Sequence, residues 1–195
     1  MPLPSVLAVH AHPDDESLFC GGVLARHAAA GARTAVVTAT WAQGTHRAAE
    51  LARALDALGA GAPRLLGYAD ARVPESAPGR PRFLDAPLDE AVEAVVGHIR
   101  DVRPEVVITG DAYGGMTGHP DHVHAHRITT TVDVGPWLPQ KLAAILAHRS
   151  EVERGAAPGR IAALPPAVQR EVLGTEWYIR QDLTPRSGSA TELSA

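Results

Sequence analysis

The sequence predicts an α/β fold, in which a mostly parallel, doubly wound sheet is flanked by helices. Short apolar runs rich in β-branched residues alternate along the chain with longer segments of helical periodicity. The chain has 195 residues, of which 45% are hydrophobic and 21% are charged. This length is sufficient for one buried core and short for two. We therefore expect a single domain over residues 1–184.

The first half of the chain shows strand and helix signals in strict alternation. They predict a strand at Ser5–His10, a helix at Ser17–Ala30, a strand at Thr34–Thr40, a helix at Arg47–Leu58 and a short strand at Arg64–Tyr68. Gly31 and Gly59 follow the two helices, and glycine commonly ends a helix. Strands connected through helices in this way pair in parallel.

The second half continues the pattern after a proline-rich loop at Ala71–Pro87. The following signals predict a helix at Leu88–Val102, a strand at Pro104–Thr109, a strand at Ile128–Val134, a helix at Pro139–His148 and a last strand at Thr175–Ile179. Residues 185–195 are rich in Ser and Thr without periodicity, so we expect a disordered tail.

Composition favours a small-molecule partner. The formal net charge is −4 and the Lys and Arg residues are scattered, which argues against nucleic acid or an anionic membrane as the partner. No spanning segment or signal peptide is evident, so we expect a cytoplasmic protein. The single cysteine, Cys20, cannot form an internal disulfide and is interpreted as a buried packing residue.

The tripeptide His-Pro-Asp occurs twice, at His12–Asp14 and His119–Asp121, and each copy follows an apolar strand-like run. The carboxyl ends of parallel strands meet at one edge of a sheet, where ligands gather in α/β folds. Imidazole and carboxylate groups are ligands of Zn²⁺ and of Fe²⁺. The two motifs therefore predict a metallohydrolase site.

A catalytic zinc usually has three protein ligands and one open position. His12, Asp15 and His122 can supply two imidazoles and one carboxylate. Asp14 then stays unliganded and is predicted to act as general base toward the coordinated water. His119, three residues before His122, is predicted to stabilise the oxyanion if protonated, and it is also a candidate ligand.

Other interpretations of these residues remain open. Proline followed by acidic residues also suits the first turn of a helix, although this explains one copy better than two. His122 and His126 have the spacing of a helical zinc pair, but no glutamate follows His122. Glu16 is interpreted as a capping group or as a group behind the ligands.

With these residues in place, the chain resembles the LmbE-like, or GlcNAc-phosphatidylinositol de-N-acetylase-like, family of metal-dependent amide hydrolases. AHPDDES at residues 11–17 and GHPDH at residues 118–122 are similar to its two signature motifs. RAAEL at 47–51, LGYAD at 66–70 and AHRSE at 147–151 are similar to its weaker motifs. The motifs occur in family order over most of the chain.

The resemblance implies a Rossmann-like fold and hydrolysis of an N-acyl group, usually N-acetyl on a glucosamine-type sugar. It implies the same zinc ligands (His12, Asp15 and His122), general base (Asp14) and oxyanion partner (His119). It also implies that Arg47 and Asp70 bind the substrate.

The chain departs from the family pattern at three places. Met116-Thr117-Gly118 replaces a common Gly-Tyr-Gly, and Tyr113 is the candidate substitute for its tyrosine. The HxSQ element becomes His148-Arg149-Ser150-Glu151, and the segment 123–147 before it is short. We therefore expect a pocket that is unusually open or that is completed by another subunit of a homo-oligomer.

The leading hypothesis is a zinc-dependent deacetylase in which the metal polarises the amide carbonyl and supplies hydroxide. A second hypothesis is an amidase for a larger N-acyl compound or thiol conjugate. A third is a catalytically weak metal-binding protein. A nucleotide-binding domain is disfavoured because no G-x-G-x-x-G follows the first strand.

Overall fold

A computed structural model describes residues 2–110, 121 and 130–178. Its central sheet has four parallel strands, namely β1 (Val6–His10), β2 (Thr34–Thr40), β3 (Arg64–Tyr68) and β4 (Val106–Thr109). Their order is β3-β2-β1-β4, and Val6 pairs with Thr34 on one side and with Val106 on the other. The predicted mostly parallel sheet is confirmed.

Helices cover both faces of this sheet. Those described are α1 (Asp15–Phe19), α2 (Gly21–Ala29), α3 (His46–Leu58), α4 (Leu88–Val102), α5 (Leu138–Ala147), α6 (Arg149–Glu153), α7 (Ala157–Ala162) and α8 (Pro166–Leu173). Val6 and Ala8 of β1 pack with α2, α3 and α5, whereas Leu7 packs with α4. Both faces of β1 are therefore buried, because successive side chains of a strand point to opposite faces.

The last two strands do not join the parallel sheet. β5 (Thr130–Asp133) and β6 (Thr175–Tyr178) form a separate antiparallel pair in which Asp133 pairs with Thr175. The strands themselves were predicted from the sequence, but their pairing was not. The proline-rich loop contains two short 3₁₀ turns, at Pro74–Ser76 and Phe83–Asp85.

The helix predicted at Ser17–Ala30 is in fact two helices, α1 and α2, which are separated at Cys20. The reason is a distant carboxylate. The backbone N–H groups of Gly22 and Val23 donate to Glu176 of β6, at 2.9 and 3.0 Å, so a new helix N-terminus is stabilised here. Lys141 of α5 forms a buried ion pair with the same carboxylate.

Gly59 ends α3 with φ 70°, as the sequence predicts. The cap at the N-terminus of this helix, Thr45, was not predicted. Cys20 is buried and unbridged. The predicted tail at 185–195 lies outside the described residues. Among the described helices, none is long and apolar enough to cross a membrane.

The strand order positions the site. The chain proceeds outward from β1 through β2 to β3, and then β4 pairs with the opposite edge of β1. The strand order therefore reverses between the neighbouring strands β1 and β4, and ligands of α/β folds bind beyond the carboxyl ends of the strands at such a point. His12 follows β1, Asp70 follows β3 and Asp121 comes after β4.

Candidate active site

The first His-Pro-Asp motif forms the turn between β1 and α1. Asp14 precedes α1 with φ 120° and ψ −24°, a backbone conformation that L-residues rarely adopt. Its carbonyl oxygen accepts hydrogen bonds from the N–H groups of Ser17 and Leu18, at 3.1 and 3.0 Å. Backbone strain of this kind costs on the order of 1–3 kcal/mol and is concentrated at functional sites.

His12 lies among three carboxylates. Its Nε2 is 3.1 Å from Oδ2 of Asp121 and 3.3 Å from Oδ2 of Asp70. Its Nδ1 faces Oδ2 of Asp15 at 3.8 Å, and its backbone N–H donates to the same oxygen at 2.9 Å. Both ring nitrogens of this buried imidazole therefore face acidic groups.

One group of side chains has the composition of a metal site. His12, Asp70 and Asp121 each offer one ligand atom, and these atoms all lie within 4.8 Å of one another. Nitrogen and oxygen donors of this kind bind divalent cations. The sequence also predicted His12 as a metal ligand, together with Asp15 and His122, and that assignment stays a prediction. It did not indicate that Asp70, expected at the substrate, would lie beside His12.

Backbone contacts hold the carboxylates of Asp70 and Asp121 in place. The N–H groups of Asp70 and Arg72 bond to Ser76 Oγ and to Asp70 Oδ1, at 2.8 and 2.7 Å. The N–H of Ala71 donates to Oδ2 of Asp121 at 3.3 Å. The turn after β3 thus positions both aspartates against the imidazole of His12. The signal for Asp121 was its place in the second His-Pro-Asp motif.

The pKa of Asp14 lies near neutrality. Burial raises its pKa from 3.8 to about 7, against the opposing effect of Arg47 and with the support of Asp15. A carboxylate with a pKa near neutrality exchanges protons efficiently at physiological pH. The side chain remains 14% exposed and lines a cavity, so it is accessible to a small substrate.

Arg47, on α3, is buried beside the motif. Its guanidinium lies 3.3 Å from Oδ2 of Asp14 and donates to the carbonyl oxygen of Pro13 and to the carboxylate of Glu151. Glu151 also binds Arg154, whose Nε is 2.6 Å from Oε2. Glu151, at the position of the family's usual glutamine, therefore bridges two arginines.

A cavity of about 230 Å³ opens over these groups. Its lining combines the site residues His12, Asp14, Asp15 and Asp70 with three arginines, Arg47, Arg72 and Arg154, and with the apolar side chains of Leu18, Phe19 and Val73. Carboxylates, arginines and apolar surface together suit a polar small molecule with a hydrophobic face.

The remaining predicted site residues, His119 and His122, lie outside the described residues, as do Tyr113, Thr117 and His126. The roles of His119 as oxyanion partner and of His122 as metal ligand therefore stay predictions. The same holds for Tyr113 as a substitute for the family's tyrosine and for His126 as an alternative ligand. The described part of the site contains the complete first motif, both weaker candidates, Arg47 and Asp70, and the last residue of the second His-Pro-Asp copy.

The fold and this grouping define an α/β protein with a candidate divalent-metal site at the carboxyl edge of its parallel sheet. The family is identified by its sequence model: residues 7–132 match that of the GlcNAc-PI de-N-acetylases, and the chain belongs to this family.

Individual relatives agree with this assignment. The chain is 42% identical to a 1D-myo-inositol 2-acetamido-2-deoxy-α-D-glucopyranoside deacetylase from Rhodococcus erythropolis, over 78% of this chain and 64% of the relative. The alignments to three such relatives cover between 49% and 67% of their lengths. The chain thus spans about half to two thirds of the curated relatives that it matches.

Solved structures share the fold. The conserved protein TT1542 from Thermus thermophilus superposes with a TM-score of 0.68 at 23% identity, over 95% of this chain and 98% of that chain. The zinc-inhibited form of teicoplanin deacetylase Orf2 superposes with a TM-score of 0.64 at 19% identity, over 92% and 100%. At these identities the similarity shows a common architecture.

Proposed function

We propose that this protein hydrolyses an N-acyl amide, most simply an N-acetyl group on an amino sugar or a related small metabolite, in a metal-dependent reaction. The observation on which this depends is Asp14, a cavity-lining carboxylate with a pKa of about 7, next to a cluster of imidazole and carboxylate ligands. Membership of the GlcNAc-PI de-N-acetylase family and the names of the relatives support this reaction.

The described donors suit a divalent cation, and we propose His12, Asp15 and His122 as its ligands. Asp15 lies on the Nδ1 side of His12, whereas Asp70 and Asp121 lie on the Nε2 side. Metal-ligating histidines usually donate the other ring N–H to a carboxylate, a role that Asp70 and Asp121 would fill. A bound Zn²⁺ or Fe²⁺ would lower the pKa of a coordinated water and polarise the amide carbonyl.

A second set of ligands is possible within the described residues. His12, Asp70 and Asp121 are also close enough together to bind one cation. The two assignments predict different variants to lose metal. If Asp15 is a ligand, Asp15→Ala should abolish stoichiometric zinc while Asp70→Ala keeps it with weakened affinity, of the order of 10- to 100-fold. The reverse result would assign the cation to the Asp70 side.

The chain's own residues then perform the proton transfers. Asp14 removes a proton from the attacking water and returns it to the leaving nitrogen, so the amine departs uncharged. Arg47 holds Asp14 toward the cavity and stabilises its ionised form, because their charges are opposite. His119 is proposed to stabilise the charge that develops on the former carbonyl oxygen.

The test combines metal analysis with an assay of the released acid, which is acetate for N-acetyl substrates, and of the free amine. The substrates are N-acetylglucosamine, its inositol glycoside and a set of larger N-acyl compounds. Asp14→Asn should retain one metal per chain but lose about 10²- to 10⁴-fold in turnover, because only the proton carrier is removed. Full activity of Asp14→Asn would refute the mechanism.

The substrate panel also separates the alternatives. Release only from larger N-acyl compounds or thiol conjugates would favour the amidase, and metal binding without any turnover would favour a binding protein. A deacetylase with the same fold has a zinc-inhibited form, so activity need not rise steadily with zinc concentration. Activity should therefore be measured over a range of Zn²⁺ and Fe²⁺ concentrations. A cytoplasmic location and a homo-oligomer remain predictions.

A further inference from the structure

A second layer of polar side chains lies behind the first motif. Glu16 and Ser17 of α1 and His148, between α5 and α6, each have no solvent exposure. The Nε2 of His148 is 2.9 Å from Oε1 of Glu16, and the Ser17 hydroxyl donates to the same oxygen. In the described part of the chain none of these three side chains lines the cavity. A catalytic contact with the substrate is therefore not their role.

The other oxygen of Glu16 faces the proposed general base. The backbone N–H of Asp14 donates to Oε2 of Glu16 at 3.0 Å. One carboxylate thus joins His148 on one side to the main chain of Asp14 on the other. Burial opposes ionisation of Glu16, but the contacts with His148, Ser17 and the Asp14 N–H together lower the pKa of Glu16. Hydrogen bonds to an ionised acceptor are stronger than neutral ones.

Asp14 needs such a contact because of its backbone conformation. With φ at 120°, the residue is in a region that is unfavourable for L-residues and persists only where neighbouring groups enforce it. A relaxation of φ would change the direction of the Cα–Cβ bond and so the position of the carboxylate relative to Arg47 and the cavity. The contact with Glu16 therefore bears directly on the position of the reacting oxygen.

The segment that carries His148 is itself held in place. The backbone N–H and hydroxyl of Ser150 donate to Glu50 of α3, at 2.7 and 2.6 Å. Glu151, the next residue, binds Arg47. The AHRSE motif thus contacts α1 through His148, and it contacts α3 through Ser150 and Glu151.

We propose that Glu16, supported by His148, is a positioning residue that holds Asp14 in its strained backbone conformation and so aims the general base at the substrate. The expected effect of Glu16 on turnover depends on the proposed function. Its expected effect on the conformation of Asp14 depends on the geometry alone. The proposal gives a role to Glu16 and to the AHRSE motif, which the proposed chemistry does not otherwise use.

Two conservative substitutions separate positioning from charge. Glu16→Gln keeps the length of the side chain, so its amide oxygen can still accept the Asp14 N–H while its amide nitrogen faces a neutral His148. Glu16→Asp keeps the charge but is one methylene too short to hold both partners. We expect kcat to fall on the order of tenfold or more in Glu16→Asp and only a few-fold in Glu16→Gln, with KM and metal content unchanged in both. A milder effect of Asp than of Gln, or equal effects, would overturn the proposal.

A matched control exists in Glu176, which is also buried, accepts two backbone N–H groups and pairs with the cation of Lys141. Glu176→Asp should lower the melting temperature without changing kcat per folded molecule. If Glu16→Asp behaves in the same way, its role is structural only. In an Asp14→Asn background Glu16→Asp should not reduce the residual rate further, because both changes act through Asp14. Additive losses would contradict the inference.

A crystal structure of each variant tests the inference without any assay. In wild type and Glu16→Gln, φ of Asp14 should stay near 120° and its carboxylate should stay within about 3.3 Å of Arg47. In Glu16→Asp the residue should leave this conformation. An unchanged Asp14 in Glu16→Asp would refute the positioning role, whereas absence of amide hydrolysis of every substrate by the wild type would refute the proposed function instead.

Discussion

Asp14 Oδ2 lies 3.3 Å from Arg47 Nη2, and this contact connects the turn after β1 to helix α3. It brings a cation to a carboxylate whose burial would otherwise leave it protonated. Burial and Arg47 therefore act in opposite directions on the pH at which the proposed base is ionised.

Removing the cation should raise the pKa of Asp14. In Arg47→Met the opposing charge is lost while burial remains, so the acid limb of the kcat/KM profile should move to higher pH, on the order of one unit or more. Activity at pH 7 should fall by more than activity at pH 9. Arg53→Met, on the exposed side of the same helix, is the control and should leave the profile in place. An acid limb that stays fixed in Arg47→Met would remove Arg47 from this role.

Neutralising Glu151 should have the opposite effect. Glu151 shares its charge with Arg47 and Arg154, so in Glu151→Gln the field of Arg47 on Asp14 is less compensated. The pKa of Asp14 should fall and the acid limb should move to lower pH. The control is Glu153→Gln, which is exposed on the same short helix. A shift to higher pH would show that Arg47 relocates when its partner is lost.

The stability of the metal-free protein should depend on pH through Asp14. Its pKa is 3.8 when unperturbed and about 7 in the folded protein, so between these values the folded state holds a proton that the unfolded chain has lost. Stability should therefore decrease as pH rises through this window and remain lower above it.

Asp14→Asn removes that penalty. In urea unfolding with EDTA the variant should exceed wild type by at most a few kcal/mol at pH 8, at roughly 1.4 kcal/mol per unit of pKa shift, and by much less at pH 5. Asp56→Asn, an exposed change on α3, should show no such pH-dependent gain. A gain that is equal at both pH values would contradict the raised pKa.

Two glycines on helices provide a packing test. A Cβ added at Gly22 of α2 would lie 2.4 Å from Cβ of Val134, so Gly22→Ala should destabilise the fold by about 1–3 kcal/mol. A Cβ at Gly97 of α4 would meet nothing within 4 Å, so Gly97→Ala should stabilise the fold by about 0.5–1 kcal/mol. Thermal unfolding of both variants is the measurement. A loss at Gly97 as large as that at Gly22 would contradict the described packing.

Much of the fold followed from local patterns. The alternation of apolar runs and helical periodicity predicted β1 to β4 and the helices α3, α4 and α5, because side-chain periodicity reflects burial directly. The short helices α6, α7 and α8 were not predicted. The break at Cys20 was not predicted, since it depends on Glu176, which lies 154 residues after Gly22. The separate pairing of β5 with β6 is likewise a long-range choice that neither strand reveals alone.

The site shows the same division. The residue types of the first motif led to the prediction of His12, Asp14 and Asp15 as site residues, because imidazoles and carboxylates can be recognised in a few adjacent residues, and their roles stay predictions. The position of Asp70 beside His12 was missed, since spacing along the chain does not report which loops face each other across a sheet edge. The contact of Glu16 with His148 was missed for the same reason.

The contact between Glu176 and helix α2 also bears on biosynthesis. A ribosome makes Gly22 and Val23, respectively, 154 and 153 residues before the residue whose carboxylate completes their helix N-terminus. The N–H groups at the start of α2, which lies between β1 and β2, therefore lack the Glu176 carboxylate as hydrogen-bond acceptor until β6 has been synthesised. Folding of this protein should consequently finish late and as a single cooperative event, in contrast to stepwise growth from the N-terminus.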